Sequence, residues 1–236
     1  MRLGLSSAAA VDADVDALLA ACARRGLAVL ELRDEDAHGV SDAASAATAA
    51  VLAADFGVAI GSFRVSGALT TAKVADVCAK LEAPALIAHG SLAERIATAR
   101  GLGDSGAGAL VEVSGAAESW LGAIAGADTD VAWQIDDAVS DMAGDLRRAM
   151  RAIPERLRYV RLLGGGPEAA MADGRGIGAL MGQLALGRFG GPLVVAPSSP
   201  RYRVAWENWL GRRGGWGCGS KAERDVVQLS PATMER

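Results

Sequence analysis

Cysteine is scarce in this chain: Cys22, Cys78 and Cys218 are odd in number, far apart and without a CxxC pair. Neither a disulfide framework nor a cysteine zinc site fits that spacing, and reduced thiols in a cytoplasmic protein are expected. Aromatic residues are only 4% of the chain, so small and aliphatic side chains must fill the core. Positive charge is not in excess: the formal net charge is −4, which argues against a nucleic-acid binder held by a general basic field. No apolar run reaches the roughly 18 residues that a membrane span needs, and MRLGLSS has no apolar signal-peptide core. A GxGxxG loop is missing after the first strand, where a dinucleotide would require it.

What is present is a repeated unit. The stretch from Arg158 opens with RYVRLL, a run suited to a strand buried on both faces, and breaks at Gly164-Gly165-Gly166. From Gly176, IGALMGQLAL places Ile177, Leu180, Met181 and Leu184 on one helix face before Gly190-Gly191-Pro192 ends it, and PLVVAP follows as another strand. Two apolar strands joined through a helix make a right-handed βαβ crossover in a parallel sheet. The same unit recurs along the chain. Strands are expected at Arg2–Ser6, Leu27–Arg33, Gly57–Arg64, Pro84–His89, Ala109–Val113 and Asp130–Ile135. Helices are expected over 12–25, 41–55, 70–81, 91–100, 118–124, 139–153 and 202–210. Eight units at about 27 residues each predict a compact (β/α)8 TIM barrel, an α/β fold, over residues 1–211, with an irregular tail at 212–236. A doubly wound open sheet is the structural alternative.

In a barrel the carboxyl ends of the strands share one mouth, and catalytic groups gather there. The ionisable residues at those ends are Glu31, Arg33, Arg64, His89, Glu112, Asp136, Asp137 and Arg161. Arg33, Glu112 and Arg161 interrupt apolar runs, so each must point into the mouth and be paired, because burying a lone charge costs several kcal/mol. Two readings stay open for these three: a structural ion-pair network, or a site.

VLELR at Val29–Arg33, Val111-Glu112, Asp136 and DGRGIGALMGQLALGRFGGPLVV from Asp173 resemble the second, fifth, sixth and seventh-to-eighth strand motifs of the xylose isomerase-like TIM-barrel superfamily. The similarity runs over the barrel to about Leu210. It implies a sugar-phosphate isomerase or epimerase, with a divalent metal, Mg or Mn, held by a strand-five Glu, a strand-six Asp, a His and a strand-eight Glu. Glu112 and Asp136 match two of these ligands. Ala196 falls where the strand-eight Glu is expected, Val139 where the His of "D..H" is expected, and Arg161 and Gly164 stand in for the His and Asp of the seventh-strand motif. The resemblance therefore implies a divergent member with a degenerate metal site and no cofactor, or a metal on Glu112 and Asp136 alone. On this reading Glu112 is the base that moves a proton next to a carbonyl, with His89 or Asp136 as partner acid. Arg33, Arg64, Arg161 and the backbone at Gly165 would bind the phosphate or carboxylate of a small anionic sugar or hydroxy acid. The competing expectation is a non-catalytic barrel that binds an anionic ligand or serves as a partner subunit, with a homo-oligomer left open. An abasic-site endonuclease is disfavoured, since that chemistry needs several metals and His38 and His89 are the only histidines.

Overall fold

In the computed structural model, residues 2–67, 69–135, 142–164 and 177–197 are described, together with 199, 202, 205 and 208. Eight parallel strands close into a barrel in chain order, with β8 returning to β1. The strands are β1 Arg2–Ser6, β2 Val29–Arg33, β3 Ala59–Val65, β4 Ala85–Ile87, β5 Ala109–Ser114, β6 Asp130–Ile135, β7 Leu157–Gly164 and β8 Pro192–Pro197. Seven α-helices lie among the described residues: α1 Val15–Arg24, α2 Ala43–Phe56, α3 Thr71–Leu81, α4 Leu92–Asp104, α5 Glu118–Ala125, α6 Met142–Ala152 and α7 Ile177–Leu186. A one-turn 3-10 helix, Ser7–Ala9, follows β1. The barrel expectation holds, and the open sheet is set aside by the β1–β8 ladder. None of the described helices is long and apolar enough to cross a membrane. The expected 202–210 helix and the tail lie outside the described residues, apart from isolated positions.

Local chemistry sets the boundaries. The Asp14 side chain accepts from the Ala17 N–H, so α1 starts later than the expected Asp12. Asp42 caps α2 in a reciprocal pair with Ser45, and Ser91 does the same with Glu94 on α4. Helix α4 continues to Asp104, past Gly101 and Gly103, where a stop at Arg100 is expected. Leu102 between them is 1% exposed, and its packing overrides the poor helix propensity of glycine. Strand β4 is shorter than the expected 84–89, because its ladders with β3 and β5 span only Ala85–Ile87.

Two packing layers follow from the period of two along each strand. The outward residues, among them Leu30, Leu32, Phe63, Val111, Trp133 and Val195, form one core with the helices. The inward residues Val29, Leu86, Leu110, Ala132, Tyr159 and Val194 form a separate apolar plug inside the barrel. Backbones approach closely around that plug. A Cβ on Gly4 would lie 2.6 Å from the Val29 carbonyl oxygen, and one on Gly61 would strike the Val29 side chain. Cys22 and Cys78 are buried free thiols, and burial pushes both up to about 12, which leaves them unreactive.

Candidate functional site

Two residues beyond four of the six members of the plug, on the same inward face and nearer the strand's carboxyl end, the chemistry changes. Val29 gives way to Glu31, Leu110 to Glu112, Ala132 to Gln134 and Tyr159 to Arg161, while Val194 is followed by the apolar Ala196. Strand alternation thus turns an apolar floor into a polar layer at the mouth.

One ion pair spans β2 and β7. Arg161 donates from Nε to Glu31 Oε1 at 3.1 Å and from Nη1 to Gln134 Oε1 at 2.6 Å. Glu31, fully buried, also accepts from the Ser6 hydroxyl at 2.6 Å and from the Tyr159 hydroxyl at 3.1 Å. Burial, and then the Glu31 charge, push the Tyr159 phenol well above its usual range, so it stays a donor. A second pair joins β3 to β5. Arg64 donates from Nε to Glu112 Oε2 at 3.0 Å and from Nη2 to Oε1 at 3.1 Å, a bidentate fork. Burial pushes the Glu112 carboxyl up, but the Arg64 hydrogen bonds and charge, with Arg161 and Arg95, bring it below the usual value. Arg95 on α4 donates to the Glu112 carbonyl at 2.7 Å and to the Gly90 carbonyl at 2.9 Å, tying the β5 end to the loop after β4.

The loop after β2 forms the rim. Arg33 pairs with Glu35 and lies 3.9 Å from Asp36, which accepts from the Ser7 hydroxyl at 2.6 Å. Arg33 Nε and Asp34 Oδ2 are buried without a hydrogen-bond partner. Burial, and the charges of Arg64 and Arg161, lower the Arg33 guanidinium despite the nearby Asp36. Buried His38 latches this loop: Nδ1 accepts from the Val40 N–H at 3.0 Å, which leaves Nε2–H to donate to the Arg33 carbonyl at 2.5 Å. Burial lowers its pKa.

Of the residues expected to form the site, the structure gathers Glu112, Arg33, Arg64 and Arg161 around one mouth. Each arginine already has a carboxylate partner, and Glu112 is held by Arg64 rather than by Arg33 or Arg161. His89 stands apart. It is exposed, its Nδ1 lies 3.3 Å from the Val65 carbonyl, it packs over Gly67, and its charge acts on Glu94. Asp136 and Gly165 lie outside the described residues. Sequence reasoning noted Glu31 without assigning it a role, and missed Ser6, Gln134, Tyr159 and Arg95. Tyr159 and Gln134 share the inward period of Arg161 and Ala132, so alternation was the signal available for them.

These residues fit a divalent metal poorly. Among the described residues no group of three or more His, Cys, Asp or Glu is arranged to hold one. Glu112 is spent on Arg64, Glu31 on three donors, and the β8 position carries the Ala196 methyl.

Comparison with solved structures places the architecture. D-psicose 3-epimerase from Clostridium cellulolyticum H10, crystallised with D-tagatose, superposes with a TM-score of 0.62 at 14% identity, covering 99% of this chain and 98% of that one. The fold is shared with sugar epimerases. A xylose isomerase domain containing protein from Salmonella typhimurium LT2 matches at a TM-score of 0.58 and 14% identity, over 90% and 95% of the two chains. The 3-keto-D-glucoside 4-epimerase from E. coli matches at 0.57 and 14%, over 89% and 98%. No protein-family model and no curated protein sequence matches the chain. Identity this low speaks for the (β/α)8 barrel fold and not for any one reaction.

Proposed function

We propose that this xylose isomerase-like barrel is a sugar isomerase- or epimerase-like protein of the cytoplasm, binding a small sugar-like ligand in the mouth and moving a proton next to its carbonyl. The observation that carries this reading is the polar layer itself. Glu112 and Arg161, on the inward faces of β5 and β7, lie close enough for the Arg161 charge to act on the Glu112 carboxylate, at the end of the barrel where such folds do their chemistry. Glu112 serves as the base, with Asp136 or His89 as the partner acid, and Gly165 contributes backbone donors. Arg33, whose Nε makes no hydrogen bond although Asp36 lies 3.9 Å away, offers a donor to a phosphate or carboxylate, so the ligand is anionic. The metal site is degenerate, reduced to Glu112 and Asp136.

The test is solvent exchange. In D2O, wild-type protein should wash deuterium into the carbon next to the carbonyl of one member of a panel of ketoses, their phosphates and hydroxy acids, followed by proton NMR. Glu112→Gln should lower the rate at least 100-fold while leaving ligand binding intact. A phosphorylated sugar binding no better than its parent would remove the anionic assignment. A second reading, a barrel that only binds its ligand, draws on the engagement of both Glu112 oxygens by Arg64; it predicts binding with no exchange.

A further inference from the structure

Glu112 has both carboxylate oxygens on Arg64, at 3.0 and 3.1 Å. Each oxygen keeps a second lone pair, enough to take a proton, but a divalent ion ligated there would sit against the charges of Arg64, Arg161 and Arg95, all of which act on this carboxylate. Glu31 cannot swing to help, being held by Ser6, Tyr159 and Arg161. Arg161, by contrast, is fixed at two points and not used up. Its Nε is on Glu31 and its Nη1 on Gln134, and among the described residues Nη2 has no partner.

We propose that Arg64 takes the place of a divalent cation at Glu112, and that Arg161, aligned by Glu31 and Gln134, offers its remaining Nη2 donors to the ligand's carbonyl oxygen, so that the mouth works without a metal ion. This rests on reading the mouth as a site of proton transfer beside a carbonyl. Glu112 takes the proton from the neighbouring carbon. The C–H electron pair becomes the new C=C bond, and the carbonyl π pair moves onto oxygen as an enolate facing Arg161. Return of the proton from the Glu112 carboxylic acid to carbon restores the carbonyl and the carboxylate. Nothing is oxidised or reduced. Glu31 and Gln134 are positioning residues, because they act through Arg161.

The experiment strips the protein with chelator, adds Mn2+ to wild type, Glu112→Gln, Arg64→Ala and the double variant, and reads free Mn2+ by EPR. Wild type and Glu112→Gln should leave the same free signal. Arg64→Ala should bind more Mn2+ than wild type, and the double variant should lose that gain. Mn2+ bound by wild type and lost in Glu112→Gln overturns the proposal, and a folded Arg64→Ala that binds none overturns the role given to Arg64. Should Arg64→Ala fail to fold, the wild-type and Glu112→Gln comparison still decides. Exchange into the sugar panel with chelator and with Mn2+ separates the two claims. Equal rates support the proposal, and exchange seen only with Mn2+ overturns it while leaving proton transfer standing. Exchange with no sugar under either condition counts against proton transfer, and the Mn2+ titration then decides the metal question alone.

Discussion

A buried guanidinium facing a buried carboxylate is held by geometry more than by net energy. Separating Glu31 from Arg161 leaves a charge that water cannot reach, at a cost of about 3–5 kcal/mol, whereas removing both costs far less. Arg161→Met should therefore lower the unfolding free energy by about that amount in urea, and Glu31→Gln combined with Arg161→Met should recover much of the loss. Strict additivity of the two changes would mean that the pair does not interact in the folded protein. His38 gives a pH signature. Its folded pKa is depressed by burial, so the unfolded chain binds the proton more readily. Its contribution is complete above the unfolded value of about 6.5 and is lost as pH falls through that value toward the lower folded one. Urea midpoints taken from pH 7.5 to pH 5 should fall for wild type and fall less for His38→Gln. Identical slopes would mean that His38 is not the titrating latch on the loop after β2.

Between elements, β1 and β3 pass close to Val29 on β2. Gly4 and Gly61 have no room for a side chain there, which lets the apolar plug close beneath the polar layer and keep the mouth's ion pairs off the opposite end of the barrel. Gly61→Ala should cost about 1–3 kcal/mol by overpacking, and Val29→Ala in the same chain should offset part of that loss. Undiminished stability in the single variant would mean that the strands can spread at this level. The elements themselves were legible in the sequence because parallel strands buried on both faces read as short apolar runs, and because Asp42, Thr70 and Ser91 announce helix starts. The polar layer was only half legible. Arg33, Glu112 and Arg161 stand out against apolar neighbours, but which carboxylate meets which arginine depends on barrel register. Arg161 and Glu31 are 130 residues apart, and no local pattern couples them.

For the whole molecule, closure of the barrel makes those distant pairings obligatory: β7 lies against β6 and β8, and its Arg161 finds its partner across the barrel on β2. The same closure gives the chain one mouth, with Glu112 and Arg64 on β5 and β3, and Arg161 with Gln134 on β7 and β6. If this mouth is the ligand site, its arginine Nε–H groups should report binding directly. The decisive measurement is the 15N–1H spectrum of the arginine Nε–H groups, assigned through Arg64→Lys and Arg161→Lys, before and after adding the sugar panel. Arg161 and Arg64 should give slowly exchanging signals that move together, saturably, for the same sugar that undergoes solvent exchange. Shifts confined to arginines at the other end of the barrel, such as Arg100 and Arg158, with Arg64 and Arg161 unmoved, would contradict a ligand site in the mouth.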